Sequence, residues 1–197
     1  KDEACTTSWS DFYLQGIHYI SEQVTLRDIK EQYYAAETPL EWNGVSATWY
    51  ANETLMQLPD ETSGWIVNVG ETSYHSYFQE GRSVKFGDNA ASTDVTVDGE
   101  HEVAALILDN VRDKYNFRTD TGGSIIMEQL VVTGQGEASF RGLKMAANEV
   151  RYADYTLTLG NGTTLSTKNI ELQSGAVFRM DSATLETELM TLGSGSG

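Results

Sequence analysis

The stretch TLTLGNGTTLSTKNIELQSGAVF, residues 156–178, decides the fold class of this chain. Two runs within it, residues 156–159 and 169–172, alternate polar and apolar side chains, as strands with one buried face do. Gly162 and Gly175 follow these runs 13 residues apart, and apolar positions repeat with the same step. The leucines on this step are Leu159, Leu172 and Leu185. Strand-like segments that repeat at a fixed period predict stacked β-coils, in which neighbouring coils bury a continuous apolar column.

The same 13-residue step occurs further upstream. Gly123 and Gly136 are separated by it, and so is a second set of apolar residues. That set consists of Phe117, Leu130 and Leu143. An antiparallel β-sandwich is the alternative architecture, because it also produces short strands at regular spacing. The fixed step favours a β-solenoid over residues 81–197.

The N-terminal part of the sequence has a different pattern. Within residues 25–37, Leu26, Ile29 and Tyr33 recur at the spacing that places them on one face of a helix. Short β-branched and aromatic runs follow. The sequence therefore predicts a mainly β protein, with a right-handed parallel β-solenoid, or β-helix-like, C-terminal part preceded by an N-terminal α+β cap over residues 1–80.

Composition and charge exclude several classes of partner. The chain has 197 residues, 40% of them apolar, with 29 acidic against 13 basic side chains and a net charge of −16. Such a charge repels phosphate backbones and anionic headgroups, so neither nucleic acid nor direct membrane insertion is expected. No apolar run reaches the length that spans a bilayer. The single cysteine and the three scattered histidines predict no metal site, and no cofactor is expected.

Residues 81–140 carry a family resemblance. Their sequence, GRSVKFGDNAASTDVTVDGEHEVAALILDNVRDKYNFRTDTGGSIIMEQLVVTGQGEASF, resembles the autotransporter-associated β-strand repeat in the order of its G-x-x-V-x-F-G-D, V-T-V-D-G, Y-x-F and L-x-V-x-G-x-G elements. LEWNGVSATWYANET, residues 40–54, and SGWIVNVG, residues 63–70, resemble the tryptophan-bearing lead-in of such proteins. The resemblance covers about residues 40–192. It implies a secreted or surface-displayed β-solenoid passenger of a Gram-negative bacterium. The function we expect is adhesion or scaffolding at the cell envelope, with extracellular glycans or glycoproteins as partners.

Asp120-Thr121-Gly122 is the tripeptide that carries the catalytic aspartate of aspartic peptidases. The alternative function is therefore a secreted aspartic-type peptidase that acts on extracellular glycoproteins such as mucins, with Asp120 as one catalytic carboxylate. That chemistry needs two facing aspartates whose closeness separates their pKa values. The chain has no second such tripeptide, and the nearest variant, at Asp181, lacks the glycine. The favoured interpretation is a polar corner between two strands, in which Asp and Gly are common.

Aromatic side chains are dense between residues 42 and 78, and they suggest a second kind of site. Flat rings stack on sugar faces, which makes this segment a candidate glycan-binding platform. Its candidate binding residues are Trp42, Trp49, Tyr50 and Trp65. The favoured interpretation is that the rings seal the end of the solenoid core, which must be covered to prevent strand addition. His75 lies in the same segment and is predicted to be a neutral histidine within a partly buried aromatic cluster.

Overall fold

The computed structural model describes residues 38–51 and 59–194. Every helix or strand assigned within them is a β-strand. The helix predicted over residues 25–37 lies outside the described residues. The described part of the predicted α+β cap is built from strands alone, so its helical component is not supported there.

The strands form two sheets, between which the chain alternates. In chain order they are β1 (Leu40–Trp42), β2 (Thr48–Tyr50), β3 (Trp65–Val69), β4 (Thr72–Ser76), β5 (Val84–Phe86), β6 (Asp94–Asp98), β7 (Glu100–Leu108), β8 (Lys114–Arg118), β9 (Ser124–Val132), β10 (Glu137–Arg141), β11 (Lys144–Tyr152), β12 (Thr156–Leu159), β13 (Thr164–Leu172), β14 (Val177–Met180) and β15 (Thr184–Leu192). Sheet A has the order β15-β13-β11-β9-β7-β5-β1-β3-β4, and sheet B has the order β14-β12-β10-β8-β6-β2. From β5 onward all neighbouring strands are parallel. The predicted parallel β-solenoid is confirmed, with about five turns.

The length of one coil differs from the predicted step. Residues that face each other on successive coils from β6 onward are 19 to 24 positions apart, as Glu100 of β7 and Ser124 of β9 show. The step of 13 is therefore wrong as a coil length. It joins different strands, since Leu159 lies in β12 of sheet B and Leu172 in β13 of sheet A. The residue that stacks on Leu172 is Leu192, one coil later.

The nine-residue strands β7, β9, β11 and β13 depart from regular alternation at a fixed place. In β11 the alternation of buried and outward positions breaks, because Asn148 and Glu149 both point outward between the buried Ala147 and Val150. The pairing of successive coils skips one residue at this break in each such strand. The skipped residues are Ala104, Glu128, Asn148, Lys168 and Glu188. A break of this kind in the alternation is typical of a β-bulge, at which a strand bends locally.

Aromatic rings fill the core toward its N-terminal end. Trp42 and Trp65 make an edge-to-face contact with ring centroids 5.1 Å apart. Phe117 and Phe140, on neighbouring strands of sheet B, stack in parallel at 4.6 Å. Each such pair contributes about 0.5–1.5 kcal/mol beyond the burial of its apolar area. The rings therefore stabilise the register of the strands that carry them.

The two ends of sheet A differ. At one end the antiparallel strands β3 and β4 follow β1 and leave a polar, exposed edge on β4. At the other end β15 exposes Met190 and Leu192, which stack on the buried Ile170 and Leu172 of β13. The apolar column thus reaches the surface at β15.

Candidate binding surface

The outward side of sheet B is a continuous polar surface. Buried and outward positions alternate in β6, β8, β10 and β12, so that residues such as Phe117 and Phe140 point into the core while their neighbours point out. Parallel pairing then brings outward residues of successive coils into straight rows, about 4.8 Å apart from strand to strand. Two rows carry the functional groups described below.

The first row is a hydrogen-bonded ladder across three strands. Asn116 of β8 donates from Nδ2 to Asp94 Oδ1 of β6 at 2.9 Å. Ser139 of β10 donates from its hydroxyl to Asn116 Oδ1 at 2.9 Å. The three side chains occupy matching register positions. Because each group fixes the next, the ladder holds donors and acceptors in one orientation at the surface.

The second row lies two residues further along the same strands. Thr96, Arg118 and Arg141 occupy it in register on β6, β8 and β10. Arg118 donates from Nε to Thr96 Oγ1 at 3.4 Å. Both arginines are exposed. This row adds positive charge beside the neutral and acidic groups of the ladder.

Of the four predicted binding residues, only Tyr50 belongs to this surface. It is 45% exposed and faces Asp98 of β6 in register. Trp42, Trp49 and Trp65 are at most 1% exposed, because each occupies an inward position of its strand. Their ring faces are covered by the aromatic core, so the predicted tryptophan platform does not exist as a surface. The rings pack against one another in the core of the first coils.

Asp120 lies in the corner between β8 and β9, at the rim of the same surface. The Thr119 hydroxyl oxygen organises this corner. It accepts hydrogen bonds from the backbone N–H groups of Thr121, Gly122 and Gly123, the last at 2.6 Å. Gly122 has a φ of 93°, which favours glycine, and a side chain at Gly123 would come 2.5 Å from the carbonyl oxygen of Val97. Asp120 itself is exposed and takes no part in these bonds. The turn thus accounts for the glycine of the motif, Gly122, and for Gly123 after it without a catalytic role.

A separate depression lies at the opposite corner, where sheet A passes to sheet B. It encloses about 500 Å³. Its polar lining comprises Gln129, Gln135, Glu149, Arg151, Asp154 and Gln173. The charge of Arg151 is already neutralised there, because its Nε lies 3.3 Å from Glu171. This corner therefore offers mainly amide and carboxylate groups to a ligand.

His101 is the buried histidine that sequence reasoning missed. Its ring is fully buried, with centroids 4.4 Å from Trp49 and 5.1 Å from Phe78. Neither ring nitrogen has a hydrogen-bond partner among the described residues. Burial lowers the pKa of His101 to about 4, although backbone groups of Asp98 and Trp49 partly offset it. The predicted cluster histidine, His75, is instead exposed on β4.

The described residues hold no group of three histidine, cysteine or acidic side chains that could bind a metal ion. Residues 38–51 and 59–194 also contain no helix that could cross a membrane. The fold defines a parallel β-solenoid protein with a polar lateral face. No family model, curated protein or solved structure matches the chain.

Proposed function

We propose that this chain is an exported β-solenoid that contacts extracellular glycans or glycoproteins through the outward side of sheet B. The observation that carries the proposal is the ladder of Asp94, Asn116 and Ser139 on a face that also exposes the Tyr50 ring. Sugars present hydroxyl groups that both donate and accept, together with apolar ring faces. Fixed polar groups and a flat aromatic ring match both features. Because these groups are already held in place, binding costs little conformational entropy.

Export and display at a Gram-negative surface are supported by the resemblance of residues 81–140 to the autotransporter-associated repeat. An adhesive or scaffold role suits a solenoid, since stacked coils create an extended lateral surface for ligands. Antibody labelling of intact producing cells tests the location. Labelling that requires cell lysis contradicts surface display.

Retention of the protein on a glycan array tests the binding role. Tyr50→Ala and Asn116→Ala are expected to reduce retention by about tenfold, corresponding to about 1.4 kcal/mol. Tyr74→Ala is the matched control, because Tyr74 is 44% exposed on β4 of the other sheet. Equal retention of the wild type and the three variants contradicts the proposal, and so does a wild-type protein that is not retained on any glycan.

The alternative, an aspartic-type peptidase, is supported by the tripeptide at Asp120 alone. The corner geometry is that of a turn organised by Thr119. A carbohydrate-active enzyme on a strand face is a further alternative, and hydrolysis of the retained glycans on the array distinguishes it from binding alone.

A further inference from the structure

Two arginines stand side by side on the outward side of sheet B. Arg118 of β8 and Arg141 of β10 are register partners on neighbouring parallel strands. Their Cα atoms are therefore about 4.8 Å apart, and both side chains leave the sheet in the same direction. Like charges at such positions repel each other and destabilise the pairing of the strands. The repulsion between the two guanidinium groups lowers the stability of the fold, and nothing in the packing of the strands requires two arginines here.

Neither arginine of the pair forms a salt bridge with an acidic side chain of the described residues. Four other basic side chains do have acidic partners, as Lys85 has Asp109 at 2.7 Å and Lys114 has Glu137 at 3.3 Å. No described carboxylate lies within ion-pair distance of Arg118 or Arg141. The one side-chain bond of the pair is the contact of Arg118 with Thr96, which is neutral.

Space beside Arg141 is open on the side away from Arg118. The next position in this row is Gly160, directly after β12, and it adds no side chain. The stem of Arg141 lies close to the backbone there, since a Cβ at Gly160 would be 3.8 Å from Arg141 Cβ. A ligand therefore reaches the Arg141 guanidinium over a flat strip of backbone.

The chemistry of the pair selects an oxyanion. Each guanidinium presents planar N–H donors that bind a carboxylate, sulfate or phosphate through two parallel hydrogen bonds. Acidic groups flank the pair, because Asp94 and Asp98 lie two residues to either side of Thr96 on β6. With a net charge of −16, the whole protein also repels polyanions. A ligand with one negative charge on an otherwise neutral body fits these conditions best.

We propose that Arg118 and Arg141 form the specificity site for an acidic sugar, bound through a single carboxylate or sulfate ester. The inference rests on the proposed glycan contact of sheet B and names the class of glycan. The sugar body lies over the ladder of Asn116 and Ser139, one row away on the same strands. The anionic group then lies between the two guanidinium groups.

Calorimetric titration with lactose, 3′-sialyllactose, lactose 3′-sulfate and sodium sulfate tests the site. The two acidic sugars are expected to bind at least about tenfold more tightly than lactose and free sulfate. Arg118→Gln combined with Arg141→Gln is expected to remove that preference while lactose binding persists. Arg179→Gln is the matched control, because Arg179 is an exposed arginine in β14 of the same sheet. Thermal melts establish that each variant is folded.

The outcomes separate the two proposals. Saccharide binding that keeps its acid preference in the double variant overturns the arginine site and leaves the glycan-binding function standing. Free sulfate that binds as tightly as the acidic sugars overturns the sugar assignment and reveals a general anion site. Failure of every saccharide to bind overturns the glycan-binding function and the inference together.

Discussion

The phenolic hydroxyl of Tyr155 donates a hydrogen bond of 2.7 Å to Asn110 Oδ1 in the buried interior. Asn110 follows β7 and Tyr155 follows β11, so the bond crosses the intervening corner that follows β9. The Asn110 amide donates in turn to the carbonyl oxygens of Asp113 at 2.5 Å and Glu137 at 3.0 Å. Every polar atom of this fully buried side chain has a partner. The arrangement ties three successive corners together.

Tyr155→Phe is expected to destabilise the protein by about 1–3 kcal/mol, because it leaves the buried Asn110 oxygen without a donor. Urea denaturation measures the change. Tyr50→Phe is the control, since its hydroxyl lies on an exposed side chain and its loss should cost less than about 0.5 kcal/mol. Equal costs for the two variants would show that the bond contributes nothing to stability.

Gly134→Ala is expected to cost at least about 2 kcal/mol. A methyl group at Gly134 would lie 2.1 Å from the carbonyl oxygen of Asn110, and that oxygen belongs to backbone that cannot easily move. Gly87→Ala is the comparison, because the nearest atom to its new methyl group is 3.6 Å away, at Glu41. Thermal melts of both proteins measure the difference. A Gly134 variant as stable as the Gly87 variant contradicts the close approach of the corners.

Substitutions in the corner at Asp120 separate a turn from a catalytic loop. Thr119→Ala removes the acceptor of three backbone N–H groups and should cost about 1 kcal/mol or more. Asp120→Asn should leave stability unchanged, because the exposed carboxylate takes no part in those bonds. Melts measure the stability. Cleavage of casein and of a mucin-type glycoprotein between pH 3 and 8 tests activity, and loss of an acid-optimum cleavage in a stable Asp120→Asn protein would restore the peptidase alternative.

His101 is expected to make the fold sensitive to acid. Its pKa is about 4 in the folded state and about 6.5 in the unfolded chain, so below 6.5 the unfolded state binds the additional proton. The free energy of unfolding should therefore fall as the pH drops from about 6.5 to 4, by up to about 3 kcal/mol at 1.36 kcal/mol per pKa unit. Denaturation at a series of pH values measures it.

The matched variants for that experiment are His101→Leu and His75→Gln. Leucine cannot bind a proton, so His101→Leu should flatten the profile over this interval. His75 is exposed on β4, and its variant should keep the wild-type profile. A wild-type slope that survives in His101→Leu assigns the acid sensitivity to other groups.

Sequence alternation was sufficient to predict the strand type and its buried positions. Leu157 and Leu159, inward in the predicted run, are both fully buried. Alternation also predicts the sides of the residues in the aromatic segment, because adjacent residues of a regular, unbulged strand face opposite sides. Trp49 and Tyr50 therefore separate into core and surface.

The register of sheet B could not be predicted from sequence periodicity. Corner lengths vary from coil to coil, so the separation of facing residues in sheet B is 23 positions for Arg118 and Arg141 but 19 for Glu137 and Thr156. No fixed step reveals that the two arginines meet. Similarly, the fixed step of 13 arose because several sides of each coil contribute apolar residues to one core. Only the paired strands show which of them stack.

The long strands of sheet A from β9 onward keep a constant separation of 20 positions, as Ser124, Lys144, Thr164 and Thr184 follow one another in register. A deletion of residues 164–183 would place Thr184 where Thr164 now faces Lys144, with every inward residue still inward. Loss or duplication of such a block changes the protein by one strand spacing, about 4.8 Å, whereas loss of a single residue within a regular strand turns the inward residues that follow it in that strand outward. This part of the solenoid can therefore become longer or shorter by whole coils while its core stays intact.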